Sequence, residues 1–290
     1  MIPTEIFKKI RLIELKTKNI VNNIMGGEYH SAFKGSGVEF SELREYIHGD
    51  DIRRIDWNVT AKTNKPYIKR YNEERQLTVV LAIDISASSY FGTKNTLKSD
   101  IMIEIASVIS FSAISNNDKV GLLLFSNTIE KFIPPQKGRK HVLRVIRELL
   151  YYKPKKKRTN INIGIDHLLK IMKRKSIVFL ISDFWDDSFY KSMKIINQKH
   201  DLVNIAIHDS AEENFPDLGL IKLEDVETKN TYWIDSNAQN YHKINNNFKS
   251  HLNDFTDYCK KNKIDLIKID SEIGYIDPLV KFFNTRSNKY

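Results

Sequence analysis

Leu77-Thr78-Val79-Val80-Leu81-Ala82-Ile83-Asp84-Ile85-Ser86-Ala87-Ser88-Ser89 is the stretch whose reading decides the fold. Its residues up to Ile83 are apolar or β-branched and carry no charge, the pattern of a strand buried on both faces of a parallel sheet. The strand ends on Asp84, with hydroxyls at Ser86 and Ser88, so D-x-S-x-S is delivered to its carboxyl end. Open α/β sheets bind ligands at that end. One carboxylate and two hydroxyls on a tight turn suit a hard cation such as Mg²⁺, which prefers oxygen ligands. The same residues also suit a turn in which Asp and Ser cap the next helix. The motif alone leaves both readings open.

The flanking pattern is βαβ. Ile101, Ile103, Ile105, Val108, Ile109, Phe111 and Ile114 cover much of the circumference of a predicted helix over 95–116, which marks it as deeply buried. A second core strand is expected over 119–125. A short antiparallel edge strand is expected over 129–133, ended by Pro134-Pro135. Helices follow over 141–150 and 163–172, then a third core strand over 176–181 that ends in Ser182-Asp183. A helix over 191–198, a strand over 202–207, a hairpin from 221–223 and 231–234, a helix over 248–261, a strand over 266–269 and a helix over 278–285 complete the pattern. Residues 286–290 read as a disordered tail.

Strands alternating with helices imply an α/β fold: a doubly wound, mostly parallel sheet with right-handed crossovers over residues 76–290. Residues 1–75 read as a smaller N-terminal module. It opens with an amphipathic helix from Thr4 to the Gly26-Gly27 stop, continues without clear periodicity, and ends in a short strand near Tyr67.

Composition narrows the function. Hydrophobic residues make up 41% of the 290 and charged ones 28%, as in a soluble globular protein. No run of about 18 apolar residues predicts a membrane span, and charge interrupts the N-terminus too early for a signal peptide. Cys259 is the only cysteine, so an internal disulfide and a cysteine-based metal site are excluded. The expected compartment is the cytoplasm. The net charge of +10 permits acidic partners. The one dense basic cluster, Lys153-Pro154-Lys155-Lys156-Lys157-Arg158, has no interleaved aromatics and reads as a solvated loop, so nucleic acid is not the expected partner.

Three contributions converge on one rim: Asp84, Ser86 and Ser88 after one core strand, Asp183 after another, and Thr159 in a loop just before a helix. Each has a structural reading, since Asp183 and Thr159 could cap the helices that follow them. In this order they resemble the metal-ion-dependent adhesion site (MIDAS) of von Willebrand factor A domains. The resemblance implies Mg²⁺, or another divalent cation such as Mn²⁺. Ser86 and Ser88 would be direct ligands, and Asp84, Thr159 and Asp183 direct or water-mediated ones. It also implies one position open to an acidic group. The glycine usual after the later Asp is here Phe184.

The N-terminal block is similar to the "domain of unknown function 58" family, which carries such a block ahead of a von Willebrand factor A-like domain. The residues are Gly35-Ser36-Gly37-Val38-Glu39-Phe40, Leu43-Arg44-Glu45-Tyr46, Gly49-Asp50-Asp51-Ile52-Arg53-Arg54-Ile55-Asp56-Trp57 and Ala61-Lys62. Lys62 stands where the family usually has Arg, and Ser89 where Met is common. Arg44, Asp50, Asp51, Arg53, Asp56 and Trp57 form either a partner-facing surface or a salt-bridge lattice with Trp57 as its apolar anchor; Ile55 and Trp57 favour the lattice.

The resemblance implies a metal-dependent protein-interaction module. Relatives are often encoded beside MoxR-type AAA+ ATPases, which makes such an ATPase, or another acidic protein ligand, the expected partner. The alternative is a metal-dependent phosphatase. Its usual second acid, two residues after the nucleophilic Asp, is here Ser86, and no Walker A, G-x-G-x-x-G, G-x-S-x-G or H-E-x-x-H motif occurs. No catalytic residues are therefore assigned.

Overall fold

The computed structural model describes residues 4–21, 29, 32–33, 39–63, 65–72, 76–92, 97–186, 188–213, 219–224, 227, 230–235 and 239–288. The chain divides into two compact units, Met1–Ala32 with Leu77–Tyr290, and Phe33–Gln76. In chain order α1 (Thr4–Ile20) precedes the elements of the small unit, β1 (Glu39–Glu45), α2 (Trp57–Thr63) and β2 (Tyr67–Asn72). The large unit continues with β3 (Thr78–Asp84), α3 (Lys98–Ser115), β4 (Lys119–Phe125), β5 (Ile129–Gln136), α4 (Arg139–Tyr151), α5 (Ile161–Ile171) and β6 (Ile177–Ser182). Then come α6 (Tyr190–Lys199), β7 (Asp201–His208), α7 (Ser210–Glu213), β8 (Leu220–Glu224), β9 (Thr231–Asp235), α8 (Gln239–Lys261), β10 (Asp265–Asp270) and α9 (Ile276–Ser287).

Six strands form one sheet in the order β10-β7-β6-β3-β4-β5. Neighbours are parallel except β5, which runs antiparallel to β4 at the edge. This is the doubly wound, mostly parallel α/β sheet that the alternation of elements implies. On β3, Val79 to Asp84 are all buried, as a strand covered on both faces requires. Val80 and Ala82 pack with Phe125, Leu180, Ile165 and Phe255 on one side of the sheet. Val79, Leu81 and Ile83 point to the other side by the alternation of a strand. The helix α3 packs against β3 and β4, and Ile101, Met102, Ile105, Val108 and Ile109 are buried along it.

The edge strand differs from expectation. It passes through Pro134-Pro135 to Gln136. Missing N–H groups are tolerated at an edge. The register also shifts between Val120 and Leu122, where Gly121 leaves room for Pro135. A Cβ at residue 121 would lie 2.8 Å from the Pro135 Cγ.

In the small unit β1 pairs antiparallel with β2, and the register shifts between Phe40 and Glu42. An extra residue in a strand interrupts the two-residue alternation, which is why β1 left no periodic trace in the sequence. The sequence also grouped 1–75 together, whereas α1 packs on the large unit. There Lys16 Nζ lies 2.7 Å from Glu104 of α3, and Arg139 at the start of α4 pairs with Glu14 at 2.5 Å.

The expected disorder from residue 286 is also corrected. Arg286 is buried within α9. Its Nε donates to the Ala32 carbonyl at 3.0 Å, and its terminal nitrogens pair with Asp201 of β7 and Asp265 of β10. Residues 289 and 290 lie outside the described set. The polar composition of the tail concealed an arginine whose fork spans two strands. Removing one partner of a buried pair leaves the others uncompensated. Because both aspartates keep some solvent contact, Arg286→Ala should lower unfolding stability by ~2–4 kcal/mol, read as a fall in the urea midpoint. Arg286→Lys should restore only part of it, and an unchanged midpoint in Arg286→Ala would contradict the assignment.

Candidate functional site

β3 and β6 are neighbours, with Ile83 opposite Ile181, so their carboxyl ends bring Asp84 beside Ser182 and Asp183. The chain leaves β3 toward β4 on one side and later takes up β6 on the other. That reversal of winding opens a crevice at the carboxyl ends of the strands, the ligand position of this architecture.

Asp84 is buried. Its Oδ1 accepts the Ser86 N–H at 2.9 Å and its Oδ2 the Ser182 hydroxyl at 2.8 Å. Burial, and then the charge of Asp183, push its carboxyl up to about 7 despite those hydrogen bonds. Ser86 precedes a 3-10 turn, Ala87–Tyr90, which aims Ser86 and Ser88 together with their hydroxyl oxygens 3.0 Å apart. Adjacent ligand oxygens around an octahedral Mg²⁺, at Mg–O distances of about 2.0–2.1 Å, lie about 3 Å apart. The hydroxyl pair therefore has a spacing that fits this ion.

Asp183 is nearly buried and does not cap α6, which begins at Tyr190. The next residue, Phe184, has φ of 58°. That left-handed backbone costs a side-chain-bearing residue roughly 1–2 kcal/mol, which gives a physical reason for glycine at this place in von Willebrand factor A domains. Here the ring is buried and stacks on Phe255 at 4.4 Å, so packing offsets the strain.

Sequence reasoning missed Lys98, at the start of α3. Its side chain is 1% exposed, and its ammonium lies 2.5 Å from Glu212 of α7 and 3.6 Å from Asp183. Burial pushes the Glu212 carboxyl up, against the pull of Lys98. Asp183 and Glu212 thus confront one ammonium, with Asp84 beside Asp183 at the same strand ends. When all are ionised they leave two negative charges, the charge that one divalent cation would balance. Among the described residues, no three His, Cys, Asp or Glu side chains converge closely enough to hold a metal by themselves. A cation at this rim would depend on the serine hydroxyls.

Thr159 sits in the loop just before α5. Its hydroxyl donates to Glu227 at 2.6 Å and its N–H to the same carboxylate at 3.3 Å. Asn160, not Thr159, caps α5, accepting the Ile163 N–H. The basic run lies against the serine turn, where the Lys157 carbonyl accepts the Ala87 N–H at 2.9 Å. Glu130 fastens this loop by accepting the N–H groups of Lys155 and Lys156.

In the small unit the family-like acids serve local roles. Arg44 pairs with Asp50 at 2.8 Å, and Asp50 also accepts the Ile47 N–H, which holds its carboxyl below the usual range. Asp51 accepts the Arg53 N–H, and Asp56 accepts those of Asn58 and Val59 at the head of α2. Trp57 is 66% exposed, so the anchor expected there is absent: the indole is a surface group.

Residues 42–253 match the family described as "Protein of unknown function DUF58". Uncharacterized proteins of Mycobacterium bovis and Mycobacterium tuberculosis are 29% identical over 222 residues, covering 76% of this chain and 70% of theirs. Among solved structures, BatB from Bacteroides thetaiotaomicron superposes with a TM-score of 0.49 at 12% identity, over 73% of this chain and 99% of that one. The SpRpn10 VWA domain gives 0.40 at 11%, over 73% and 95%.

The raised Asp84 carboxyl has a stability consequence. Between its ordinary value of 3.8 and its folded value of about 7, the folded chain keeps a proton that the unfolded chain has lost. Stability therefore falls as pH rises through that window. With chelator present, Asp84→Asn should raise the urea midpoint at pH 8, and the gain should shrink toward pH 4. A variant less stable than the parent at pH 8 would contradict this.

Proposed function

The chain belongs to the DUF58 family of proteins of unknown function, and from that premise we propose that it is a cation-dependent protein-binding module whose strand-end rim captures an acidic group of a partner. The observation that carries the reading is the rim itself. Two hydroxyls at octahedral spacing sit beside carboxylates that their surroundings leave undercompensated. Ser86 and Ser88 would hold Mg²⁺ or Mn²⁺ directly, with Asp84, Thr159 and Asp183 as direct or water-mediated ligands. A cation so held is electrophilic and supplies a seat for an incoming carboxylate.

Two features favour an acidic partner. The exposed run 153–158 borders the serine turn through the Lys157–Ala87 hydrogen bond, and the chain carries a net charge of +10. Basic side chains around a carboxylate seat steer acidic segments toward it. Within that class we favour a MoxR-type AAA+ ATPase, for which this chain would act as adaptor or substrate-delivery factor. Among the described residues no helix is long and apolar enough to cross a membrane. A phosphatase reading fares worse, since the place of its general acid is taken by Ser86, whose hydroxyl bonds Ser88.

Ser86→Ala combined with Ser88→Ala should keep the fold and reduce Mg²⁺-dependent capture of the ATPase at least tenfold in a pull-down. Capture that persists unchanged in excess chelator would rule the mechanism out.

A further inference from the structure

Lys98 has no place in the ligand set above. A fully buried lysine is costly unless paired, and the first turn of a helix disfavours a cation further. Lys98 occupies that position on α3 with its side chain 1% exposed. The Phe91 ring lies 5.5 Å from its ammonium. Only strong compensation holds an ammonium there, and Glu212 and Asp183 provide it. The two contacts are unequal: Glu212 at 2.5 Å is a full hydrogen bond, while Asp183 at 3.6 Å is a looser ion pair. Among the described residues Lys98 pairs with Asp183 and Glu212, while Asp84 accepts the Ser86 N–H and the Ser182 hydroxyl.

We propose that Lys98 is a tethered counter-ion of the strand-end site, competing with a divalent cation for Asp183 and thereby setting how tightly that cation is held. The proposal rests on the cation-binding reading above. Without the cation, the ammonium shares Asp183 and keeps the crevice from carrying three uncompensated carboxylates. When the cation binds, Asp183 turns to it, and Lys98 withdraws onto Glu212, which already holds it more closely. Two cations in one buried crevice repel, and that repulsion weakens divalent binding. Glu212 is thus a positioning residue: it draws the ammonium away from Asp183.

The pair therefore gives shifts of opposite sign. Lys98→Met with Glu212→Gln removes one charge of each sign and should tighten Mn²⁺ binding about tenfold, following the like-charge repulsion removed. Glu212→Gln alone leaves Asp183 as the only carboxylate paired with Lys98 among the described residues and should weaken Mn²⁺ binding by a similar factor. Titration calorimetry with Mn²⁺ on the full chain reads both, and metal-free thermal melts confirm that each variant folds. A steric or merely structural role for Lys98 would not produce opposite shifts. Affinities equal to the parent's in both variants, or shifts of the same sign, would overturn the proposal while leaving cation binding intact. No Mn²⁺ binding by parent or by either variant would overturn both readings.

Discussion

Two carboxylates end adjacent strands of a parallel sheet in a place that nearly excludes water. Most of the site follows from that constraint. The burial that makes β3 a good central strand also desolvates Asp84, and the neighbouring strand β6 is followed directly by Asp183. Like charges this close resist joint ionisation, and the structure meets the problem in several ways. Ser182 and the Ser86 N–H donate to Asp84, Lys98 faces Asp183, and the Asp84 carboxyl is raised. The fold is thus less stable at neutral pH than a sheet with neutral strand ends would be. Such a cost at a crevice is a common mark of a functional site, and a divalent cation is the ligand that would relieve it.

The sheet was legible in the sequence because its cause is local. Uncharged runs such as Val79 to Ile83 admit few alternatives, and their alternation with helical patterns sets the winding. Boundaries were less legible where one residue answers another far away. Pro134-Pro135 reads as a stop until Gly121 is found opposite it. Arg286 reads as the start of a loose tail until Asp201 and Asp265 are seen to receive it. The register shift near Phe40 erased the alternation by which β1 would have been found.

Only the strand-end half of the candidate site was legible in the sequence. Asp84, Ser86, Ser88 and Asp183 lie at strand ends, which periodicity locates. Lys98 and Glu212 lie 114 residues apart and join only because α3 and α7 both start near the same rim. A lysine ahead of an apolar helix looks like any surface charge. Its burial was the missing signal, and burial of a first-turn residue depends on tertiary packing. Thr159 shows the converse, since its position before α5 was read correctly while its hydroxyl went to Glu227. Trp57 fails for a related reason: a large indole among charges suggests an anchor, but the acids around it serve backbone N–H groups and leave it exposed.

The most direct measurement is a crystal structure of the protein grown with Mn²⁺, with the metal located by its anomalous scattering. The account expects one strong peak bonded to the Ser86 and Ser88 hydroxyl oxygens, with Asp84 and Asp183 turned toward it and the Lys98 ammonium on Glu212 alone. A strand-end crevice without a peak at saturating Mn²⁺, with Lys98 still facing Asp183, would contradict it.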